Sequence, residues 1–444
     1  MIKLGKELVK SRYLHTFKKG DKTIIFNSLN LEIFEGEQSY YEIINKYLVP
    51  SKCVNITKEL SELFDSKIIV YKEENESNQA LKRLRELRSK ALREKKGRIG
   101  FMRIDLTEQC NMACSYCFQQ QFYKHRQPVM SMEKFVEIMN WFIEENRGNV
   151  PRVQYFGGEP LLKFDLIQRG NEMLVDAKNK NNISNYSQII TTNGTLMTKK
   201  IADYLNKWNF DVAFSLDGWK DLNDKSRVFK GGQGTYDRVL QGIHNFRSSG
   251  GNVNILLTPR NDNLVHIPEI VKHFVEDLGA TTVGVNSPQP TEAGWEVEGH
   301  GLAKATQKAW EYCIEKNVNF VGPGTFIPKI IKSKSAQVGR CVDGNSGEAE
   351  AEWSIYISAT GDFSYCLVHH QDDRCVSDDP KQIKQESKFR LWHYNTSDHP
   401  ECDTCIASQI CGGPCSLELA LRRGELNPDR CKFYKDMVEW VVKR

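Results

Sequence analysis

Three cysteines, Cys110, Cys114 and Cys117, fall within eight residues of a chain of 444. On a helix this spacing would place them along one face, where free cysteines usually act as small buried hydrophobic side chains. The segment GFMRIDLT directly before them predicts a strand that leads into a loop, and so disfavours a helix. Three thiolates on one loop can instead hold a metal cluster. A cluster site is therefore the stronger interpretation of this segment.

The cysteines as a whole indicate a reducing compartment. The chain has thirteen: three lie near residue 110, and seven of the eight that follow residue 340, all but Cys375, form a second group. Clustered cysteines in a cytosolic chain more often bind metal than form disulfides. No apolar run approaches the roughly 20 residues of a membrane helix, and the amino-terminal residues lack the apolar core of a signal peptide. We therefore expect a cytoplasmic protein with no membrane partner, and the net charge of +4 does not favour a nucleic-acid partner.

Strand-like and helix-like segments alternate between residues 99 and 320. Six strand–helix units can be counted, and their strands read GFMRIDLT, RVQYF, SQIITT, DVAFSL, NVNILLT and TTVGVN. Such alternation predicts parallel strands joined by right-handed helical crossovers. Six units fit an incomplete barrel better than the closed one, so we predict an α/β fold with a partial (β/α)6 TIM-like barrel. Its chemistry should lie at the carboxyl ends of the strands.

The segments on either side of the barrel have a different character. In residues 1–72, RYLHTF and KTIIFN predict a hairpin, and two helical patterns and a short strand follow, which suits a winged-helix-like domain. Residues 73–98 are highly charged with leucines at helical spacing, and predict a helical linker. Residues 321–444 have few aliphatic runs and seven clustered cysteines, so metal is expected to stabilise them.

The spacing CxxxCxxC, with Tyr116 before the last cysteine and a strand before the loop, resembles the radical S-adenosylmethionine (SAM) superfamily. The resemblance implies that Cys110, Cys114 and Cys117 hold a [4Fe–4S] cluster with one iron open to SAM. Further landmarks of the superfamily follow the later strands in order. Together they imply the following SAM-binding residues: Tyr116, Gly157, Gly158, Glu159, Pro160, Asn193, Ser215, Asp217 and Arg227.

The resemblance also implies roles for individual side chains. Glu159 and the backbone of the GGEP segment would hold the methionine amino group of SAM, and Ser215 and Asp217 would bind its ribose hydroxyls. Arg227 would bind the SAM carboxylate, a partner that suits the guanidinium fork. Each of these motifs taken singly is as well explained by a structural turn or a surface charge. Their order along the chain is what makes the functional interpretation strong.

Radical SAM chemistry follows from that resemblance. A reducing partner such as a flavodoxin or ferredoxin would supply one electron through the cluster to SAM, which yields a 5′-deoxyadenosyl radical. The radical abstracts a hydrogen atom from an unactivated C–H bond of the substrate. The cofactor supplies the difficult step, and the protein positions and shields it.

The later cysteines follow the order C, Gx4C, CX2CX5CX3C, C, which resembles the SPASM extension of radical SAM enzymes, although a tetracysteine zinc site is the simpler explanation for a CxxC pair. The resemblance implies two auxiliary [4Fe–4S] clusters, and three clusters in all. The outer cluster would be held by Cys402, Cys405, Cys411 and Cys431. The inner cluster would be held by Cys341, Cys366 and Cys415. Its fourth ligand stays open, and Cys375, a non-cysteine group or substrate could supply it.

The amino-terminal unit resembles the peptide-recognition element of ribosomal peptide maturases, which binds a leader peptide as an added strand. A nucleic-acid-binding winged helix is the competing interpretation, because Lys18, Lys19 and Lys22 would suit phosphates or an acidic leader equally. Leader binding is favoured, since no basic recognition helix is evident. We therefore expect a precursor peptide as the partner.

Three functions remain open at this stage. The first is a maturase that forms a side-chain cross-link in a ribosomally made peptide, through a carbon–carbon, ether or thioether bond. The second is a sulfatase-type maturase that makes formylglycine, and the third is a non-catalytic iron–sulfur or zinc protein. The sequence does not identify the catalytic base. The nearby acidic residues are by default surface groups; they are Glu348, Glu350, Glu352 and Asp362.

Overall fold

The structure is a computed structural model. It describes residues 2–20, 22–36, 38–83, 86, 98–117, 119, 127–287, 297–334, 353–364, 376–379, 399–414 and 416–444.

The described strands are β1 Glu7–Lys10, β2 Leu14–Lys19, β3 Lys22–Asn27, β4 Glu32–Gly36, β5 Ser51–Lys52, β6 Ile69–Tyr71, β7 Ile99–Asp105, β8 Arg152–Phe156, β9 Ser187–Thr192, β10 Asp211–Ser215, β11 Asn254–Leu257, β12 Thr282–Val285, β13 Asn319–Val321, β14 Trp353–Ile357, β15 Phe363–Ser364 and β16 Val376–Ser377. The α-helices are α1 Gln38–Lys46, α2 Lys58–Asp65, α3 Met132–Glu145, α4 Phe164–Asn179, α5 Lys199–Lys207, α6 Lys220–Asp224, α7 Tyr236–Ser248, α8 Ile267–Glu276, α9 Gly299–Glu315, α10 Ile327–Ser333, α11 Ser416–Leu421 and α12 Pro428–Val442. Short 3-10 helices span Pro160–Lys163, Leu264–His266 and Pro400–Cys402.

A central sheet organises the molecule. Its ten described strands run in the order β13-β12-β11-β10-β9-β8-β7-β14-β15-β16, and every pair from β13 to β14 is parallel. The six predicted strands are β7 to β12, in sequence order across the sheet, as right-handed crossovers require. The predicted parallel sheet is therefore confirmed, and it is consistent with a partial barrel.

The sheet extends further than the sequence predicts. β13 adds a strand beyond β12, and β14 from the carboxy-terminal segment pairs in parallel with β7. An uncovered edge of β7 would leave a row of unpaired backbone groups in a buried sheet, and β14 satisfies them. The segment after residue 320 is thus continuous with the barrel sheet, and β15 and β16 continue it with antiparallel pairing.

The helices form because their apolar residues recur at helical spacing. In α3 the side chain of Ser131 accepts a hydrogen bond from the backbone N–H of Lys134 and so caps the helix. The residues that α3 buries against the sheet lie at positions i, i+3, i+4 and i+7; they are Phe135, Ile138, Met139 and Phe142. Burying each such side chain stabilises the fold by about 1.5–3 kcal/mol. In the described part of the chain, the helices are all too short or too polar to span a bilayer.

The amino-terminal unit holds two small sheets, with strand orders β5-β1-β6 and β2-β3-β4, and the helices α1 and α2. The predicted hairpin is confirmed as β2 and β3, which pair from Leu14 opposite Asn27 to Lys19 opposite Lys22. Both predicted helices and the short strand β6 are also present. In the predicted linker, residues 76–83 are helical, and most of the remainder lies outside the described residues. The likeness to a winged helix stays a prediction.

The amino-terminal unit is attached to the cysteine-rich segment through Asp403. Tyr13 is fully buried, and its hydroxyl donates a hydrogen bond of 2.5 Å to Asp403. Ser77 donates to the second carboxylate oxygen at 3.1 Å, and Arg12 forms an ion pair with the same oxygen at 2.8 Å. Burial, together with the bond to Asp403, raises the pKa of Tyr13 to about 12. The phenol therefore stays a donor at neutral pH.

Apolar packing reinforces that attachment. Ile24, Phe26 and Leu31 belong to the same buried cluster as the core of the central sheet. The side chain of Arg83 also donates to the carbonyl of Lys334 at 2.9 Å. The amino-terminal unit is therefore packed onto the barrel instead of being tethered beside it.

We predict that replacing Tyr13 by Phe lowers the free energy of unfolding by about 1–3 kcal/mol, because it removes a buried hydrogen bond to a charged acceptor. Arg12→Gln should cost less than about 1 kcal/mol, since that ion pair is half exposed to water. Urea unfolding of the two variants and of Asp403→Asn, combined in a double-mutant cycle, measures the coupling. Fully additive effects of Tyr13→Phe and Asp403→Asn would contradict the assignment.

Candidate functional site

A cavity of 830 Å³ opens at the carboxyl ends of the central strands. Its wall is formed by the loops that follow β7, β8, β9, β10 and β11. This is the end of a parallel barrel at which catalytic side chains collect. Among the predicted site residues, those that line the cavity are Cys110, Cys114, Tyr116, Cys117, Gly157, Gly158, Glu159, Asn193, Ser215 and Arg227.

The loop with the three cysteines is held on one side by the glycines after β8. The N–H of Gly158 donates to the carbonyl of Thr107 at 2.8 Å, and the N–H of Glu159 donates to that of Gln109 at 3.0 Å. A Cβ on Gly158 would lie 2.3 Å from the Gln109 carbonyl oxygen, and one on Gly157 would lie 2.3 Å from that of Thr107. Gly157 also has a φ of +121°, which disfavours other residues. Only glycine permits this approach.

A second segment holds the same loop from the opposite side. The N–H of Ala113 donates to the carbonyl of Val228 at 2.8 Å, and that of Ser115 donates to Ser226 at 3.0 Å. Arg227 lies between these two contacts, which directs its side chain into the cavity wall. The cysteine loop is therefore fixed by backbone hydrogen bonds to two loops that are distant in sequence.

The three thiols share a buried environment. Burial, together with the charges of Glu159, Cys114 and Cys117, raises the pKa of Cys110 to about 12. Burial raises the pKa of Cys114 as well, although Arg227 opposes this. The three thiols thus lie near enough to influence one another. Within the described ranges, no three His, Cys, Asp or Glu side chains are close enough to enclose a single metal ion.

Glu159 is fully buried and already has hydrogen-bond donors. Its carboxylate accepts from the Thr192 hydroxyl and the Asn193 N–H, both at 2.7 Å, and from the Leu161 N–H at 3.0 Å. Burial nevertheless raises its pKa. Glu159 therefore ties the loop after β8 to the end of β9. Pro160 begins the adjacent 3-10 helix and lies behind the wall that Gly157, Gly158 and Glu159 form.

Asp217 is fully buried behind the cavity wall and is the centre of a charged network. Its carboxylate accepts from the Tyr116 hydroxyl, from Arg260 at 2.9 Å and from the Thr258 N–H at 3.0 Å. Arg227 lies 3.7 Å from the same carboxylate and donates to the Tyr116 hydroxyl at 2.5 Å. Asp217 could therefore reach a ribose only by giving up these bonds.

The network has an excess of positive charge. Asp217 and Asp262 supply two negative charges, since Asp262 pairs with Arg260 at 3.0 Å and with Lys225 at 3.3 Å. Arg227, Arg260 and Lys225 supply three positive charges. The Nε atom of Arg227 is buried and has no hydrogen-bond partner among the described residues. Because a buried N–H without a partner costs free energy, this atom marks a place where an anion in the cavity would be stabilised.

Arg260 is a further member of this network that was not predicted from the sequence. Its guanidinium lies 5.1 Å from the centre of the Tyr116 ring and also bonds Asp262 at 3.0 Å. The available signal was position, because Arg260 follows the end of β11 by three residues, as the other landmarks follow their strands.

A polar row inside the barrel was missed as well. Arg103 donates to Gln154 at 2.9 Å, and Gln154 donates to Thr191 at 3.0 Å, so that three neighbouring strands are linked where they line the cavity. In β7 and β8 the polar residues Arg103 and Gln154 stand between apolar neighbours, and that interruption was the signal that could have found them.

The carboxy-terminal cysteines form a second group. Burial raises the pKa of Cys402, and the charges of Cys411, Cys405 and Cys431 raise it further. These four predicted ligands of the outer cluster are therefore neighbours, although three lie in one loop and Cys431 lies in α12. The other predicted or possible ligands lie outside the described residues; they are Cys341, Cys366, Cys375 and Cys415.

Three of the four acidic residues considered as bases lie outside the described residues; they are Glu348, Glu350 and Glu352. Asp362 is described and lies in the turn between β14 and β15. Its carboxylate accepts hydrogen bonds from Thr360 and from Ser358. The observed partners of Asp362 thus stabilise a turn, and the catalytic base stays unassigned.

The chain is similar to known proteins over most of its length. The radical SAM cyclopropyl synthase TigE of Paramaledivibacter caminithermalis is 24% identical over 476 residues, which cover 99% of this chain and 97% of that protein. The solved structure of anSMEcpe with bound AdoMet and Kp18Cys peptide aligns with a TM-score of 0.63 at 18% identity, over 77% of this chain and 96% of that one.

SuiB of Streptococcus suis, bound to its precursor peptide SuiA, aligns over 92% of this chain and 96% of its own, with a TM-score of 0.55 at 15% identity. Both structural alignments show a shared fold. Residues 104–274, which contain the three cysteines, the glycine loop and the Asp217 network, match the family described as the radical SAM superfamily. The chain therefore carries a radical SAM domain.

Proposed function

We propose that this protein is a radical SAM enzyme that modifies a ribosomally made precursor peptide and forms a new bond between or within its side chains in an overall oxidation. The observation that carries the proposal is that the three cysteines of a CxxxCxxC motif line one cavity. Their loop is held between the glycine loop, Gly157 and Gly158, and the segment of Arg227. A protein that only binds metal would not need the anion-binding arginine and the glycine loop at the same cavity.

The residues at the cavity fit the cofactors of this chemistry. Cys110, Cys114 and Cys117 would hold a [4Fe–4S] cluster, whose ligands bind different irons and so need not converge on one point. When bound, the clusters and SAM would supply one-electron chemistry, that is, abstraction of a hydrogen atom from the peptide and removal of one further electron.

SAM would lie against the charged network. Its carboxylate would accept from Arg227, whose Nε atom is buried without a partner among the described residues. Asn193 and Ser215 line the same cavity and offer polar groups to the rest of the molecule. Asp217 would act indirectly, because its carboxylate orients Tyr116, Arg227 and Arg260.

We assign the auxiliary clusters to the carboxy-terminal cysteines. Cys402, Cys405, Cys411 and Cys431 would hold the outer cluster, since the charges of the last three raise the pKa of Cys402. The sequence assigns the inner cluster to Cys341, Cys366 and Cys415. Joining two side-chain atoms removes two hydrogen atoms from the peptide, so one oxidising equivalent beyond the first abstraction is required.

A peptide substrate is supported by the extent of the similarity. The alignments with TigE and SuiB include the amino-terminal unit, since they cover nearly all of this chain. SuiB was solved with a precursor peptide, and the name of TigE describes the formation of a ring of carbon atoms. A formylglycine-generating maturase is the second candidate, but it would leave the amino-terminal unit, which packs onto the barrel core, without a role.

We predict that the triple variant Cys110→Ala, Cys114→Ala, Cys117→Ala forms no 5′-deoxyadenosine from SAM and dithionite under anaerobic conditions, because it has no site for the first cluster. Its iron content should fall by about one third, from three clusters to two. The matched control is Cys313→Ala, which removes a buried thiol in α9 away from the cavity. Unchanged 5′-deoxyadenosine formation in the triple variant would disprove the central assignment.

Arg227→Gln should weaken SAM binding by about 10- to 100-fold, which corresponds to the loss of a hydrogen bond between charged groups. 5′-Methylthioadenosine lacks the carboxylate, so its affinity should not change. Calorimetry on the reconstituted protein measures both, and Lys230→Gln, at an exposed lysine nearby, is the control. An equal loss of affinity for both ligands would show that Arg227 does not bind the carboxylate.

We expect a short reading frame beside the gene to encode the precursor peptide, and that peptide distinguishes the two candidate functions. After anaerobic incubation with the reconstituted enzyme, we expect that peptide to lose two hydrogen atoms and to gain an internal bond visible by tandem mass spectrometry. The triple cysteine variant serves as the control. Formylglycine is an aldehyde, so a product that forms a hydrazone with a hydrazide reagent would support the sulfatase-type alternative instead.

A further inference from the structure

A buried ion pair lies beside the cysteines of the carboxy-terminal segment. Glu418 in α11 is 1% exposed and Arg430 in α12 is 7% exposed, and Arg430 donates to the carboxylate of Glu418 at 3.2 Å. Arg430 directly precedes Cys431, one of the four cysteines assigned to the outer cluster. Burying two charges is costly, and apolar residues of similar volume can replace such a pair without loss of stability. Stability alone therefore does not explain why both charges are buried here.

Asn427 fixes the position of Arg430. Its side-chain oxygen caps α12 by accepting hydrogen bonds from the N–H groups of Asp429 at 3.0 Å and of Arg430 at 3.2 Å. Its side-chain N–H group donates to the other carboxylate oxygen of Glu418 at 2.6 Å. The backbone of Arg430, through Asn427, and its guanidinium are therefore both tied to one carboxylate. The positive charge is held in place beside Cys431.

The charge of Arg430 acts on two of the four cysteines. Burial raises the pKa of Cys411, and the charge of Arg430 opposes this. Burial also raises the pKa of Cys431. Lys435 and Arg430 each lower that pKa by more than Glu418 raises it. Arg430 is therefore near enough to stabilise negative charge on both sulfurs, and its own counter-ion does not cancel the effect.

Two further charges near these cysteines lie at the surface. Lys435 is exposed. Glu401, which adds to the effect of burial on the pKa of Cys402, is exposed as well. Water and salt screen exposed charges, whereas a charge in the protein interior acts at greater strength. Arg430 is therefore a positive charge that solvent screens little.

The backbone beside Cys411 also favours negative charge on its sulfur. The N–H of Gly413 donates to the Sγ of Cys411 at 3.5 Å. Gly412 and Gly413 have φ values of +74° and +94°, a conformation that suits glycine and turns this N–H back toward the sulfur. Net charge and hydrogen bonds to the sulfurs set the reduction potential of an iron–sulfur cluster. Because reduction adds one negative charge, a buried positive charge nearby raises that potential.

We propose that Arg430 raises the reduction potential of the outer cluster, and that Glu418 holds Arg430 in place for this role. The presence of the cluster rests on the proposed function, and four neighbouring thiols supply the number of ligands that a [4Fe–4S] cluster takes.

A raised potential has a use in an overall oxidation. After the first hydrogen abstraction, the peptide still loses one electron and one proton. The electron would reduce an oxidised cluster by one unit of charge, and the proton would go to the base that stays unassigned. Arg430 makes the outer cluster a better acceptor for that electron.

The test is a potentiometric titration of the full-length reconstituted protein, followed by electron paramagnetic resonance. The signal of the outer cluster is the one lost in the double variant Cys402→Ala, Cys405→Ala. At the midpoint potential of the unaltered protein, Arg430→Gln should lower the ratio of reduced to oxidised outer cluster about tenfold, a shift of about 59 mV to lower potential for one electron. Glu418→Gln should shift the potential in the opposite direction, because it removes a negative charge and leaves Arg430.

Two further variants separate charge from shape. Arg430→Lys keeps the positive charge and should stay near the potential of the unaltered protein. Lys432→Gln is the matched control and should cause no shift, because Lys432 follows Cys431 on the same helix but is exposed and pairs with Asp436 at 2.6 Å. The signals of the other two clusters should not move in any variant. If Arg430→Gln fails to retain the cluster, measured as lost iron, the direction of the shift in Glu418→Gln decides.

Three results would overturn the proposal. Arg430→Gln could leave the potential unchanged, or Arg430→Lys could shift it as far as Arg430→Gln, so that shape and not charge is responsible. Elemental analysis could also find zinc that the Cys402→Ala, Cys405→Ala variant lacks, in which case these cysteines hold no cluster. If the unaltered protein forms no 5′-deoxyadenosine, the proposed function is wrong, and the measured shift in potential still stands.

Discussion

The candidate site depends on the close contact between the cysteine loop and the glycine loop after β8. The backbone of Gly158 lies so close to the carbonyls of residues 107–109 that no side chain would fit there. The N–H of Gly158 forms one of the two hydrogen bonds at this contact. That contact places the motif CxxxCxxC over the ends of the strands. The opposite contact, from Ala113 and Ser115 to residues 226–228, brings Arg227 to the same cavity. A loop fixed on both sides can hold three ligands in position before a cofactor arrives.

The Asp217 network shows how buried charge organises the cavity wall. One carboxylate is shared by Arg260, Arg227 and Tyr116, so none of these side chains is free to turn toward solvent. Removing one partner of such a group would leave another charge buried without compensation, which is far more costly than losing an exposed ion pair. The excess positive charge is then available to a negatively charged ligand in the cavity.

Regions distant in sequence also support one another elsewhere in the fold. Tyr13 reaches Asp403, which lies between Cys402 and Cys405, and β14 covers the edge of β7. The amino-terminal unit, the barrel and the cysteine-rich segment are therefore joined by packing and hydrogen bonds.

The sequence by itself determined where most of the barrel strands and their helices lie. Alternating strand and helix patterns predicted β7 to β12 in their order, and the hairpin β2–β3, because local periodicity reflects which face of each element is buried. The cysteine spacing and the landmarks after each strand predicted the residues that line the cavity. Only the tertiary structure decided how these side chains are used. Asp217 is buried among Arg260, Tyr116 and Arg227, and β14 pairs with β7. Neither arrangement could be predicted, because these contacts join residues tens to hundreds of positions apart and leave no local periodicity in the chain.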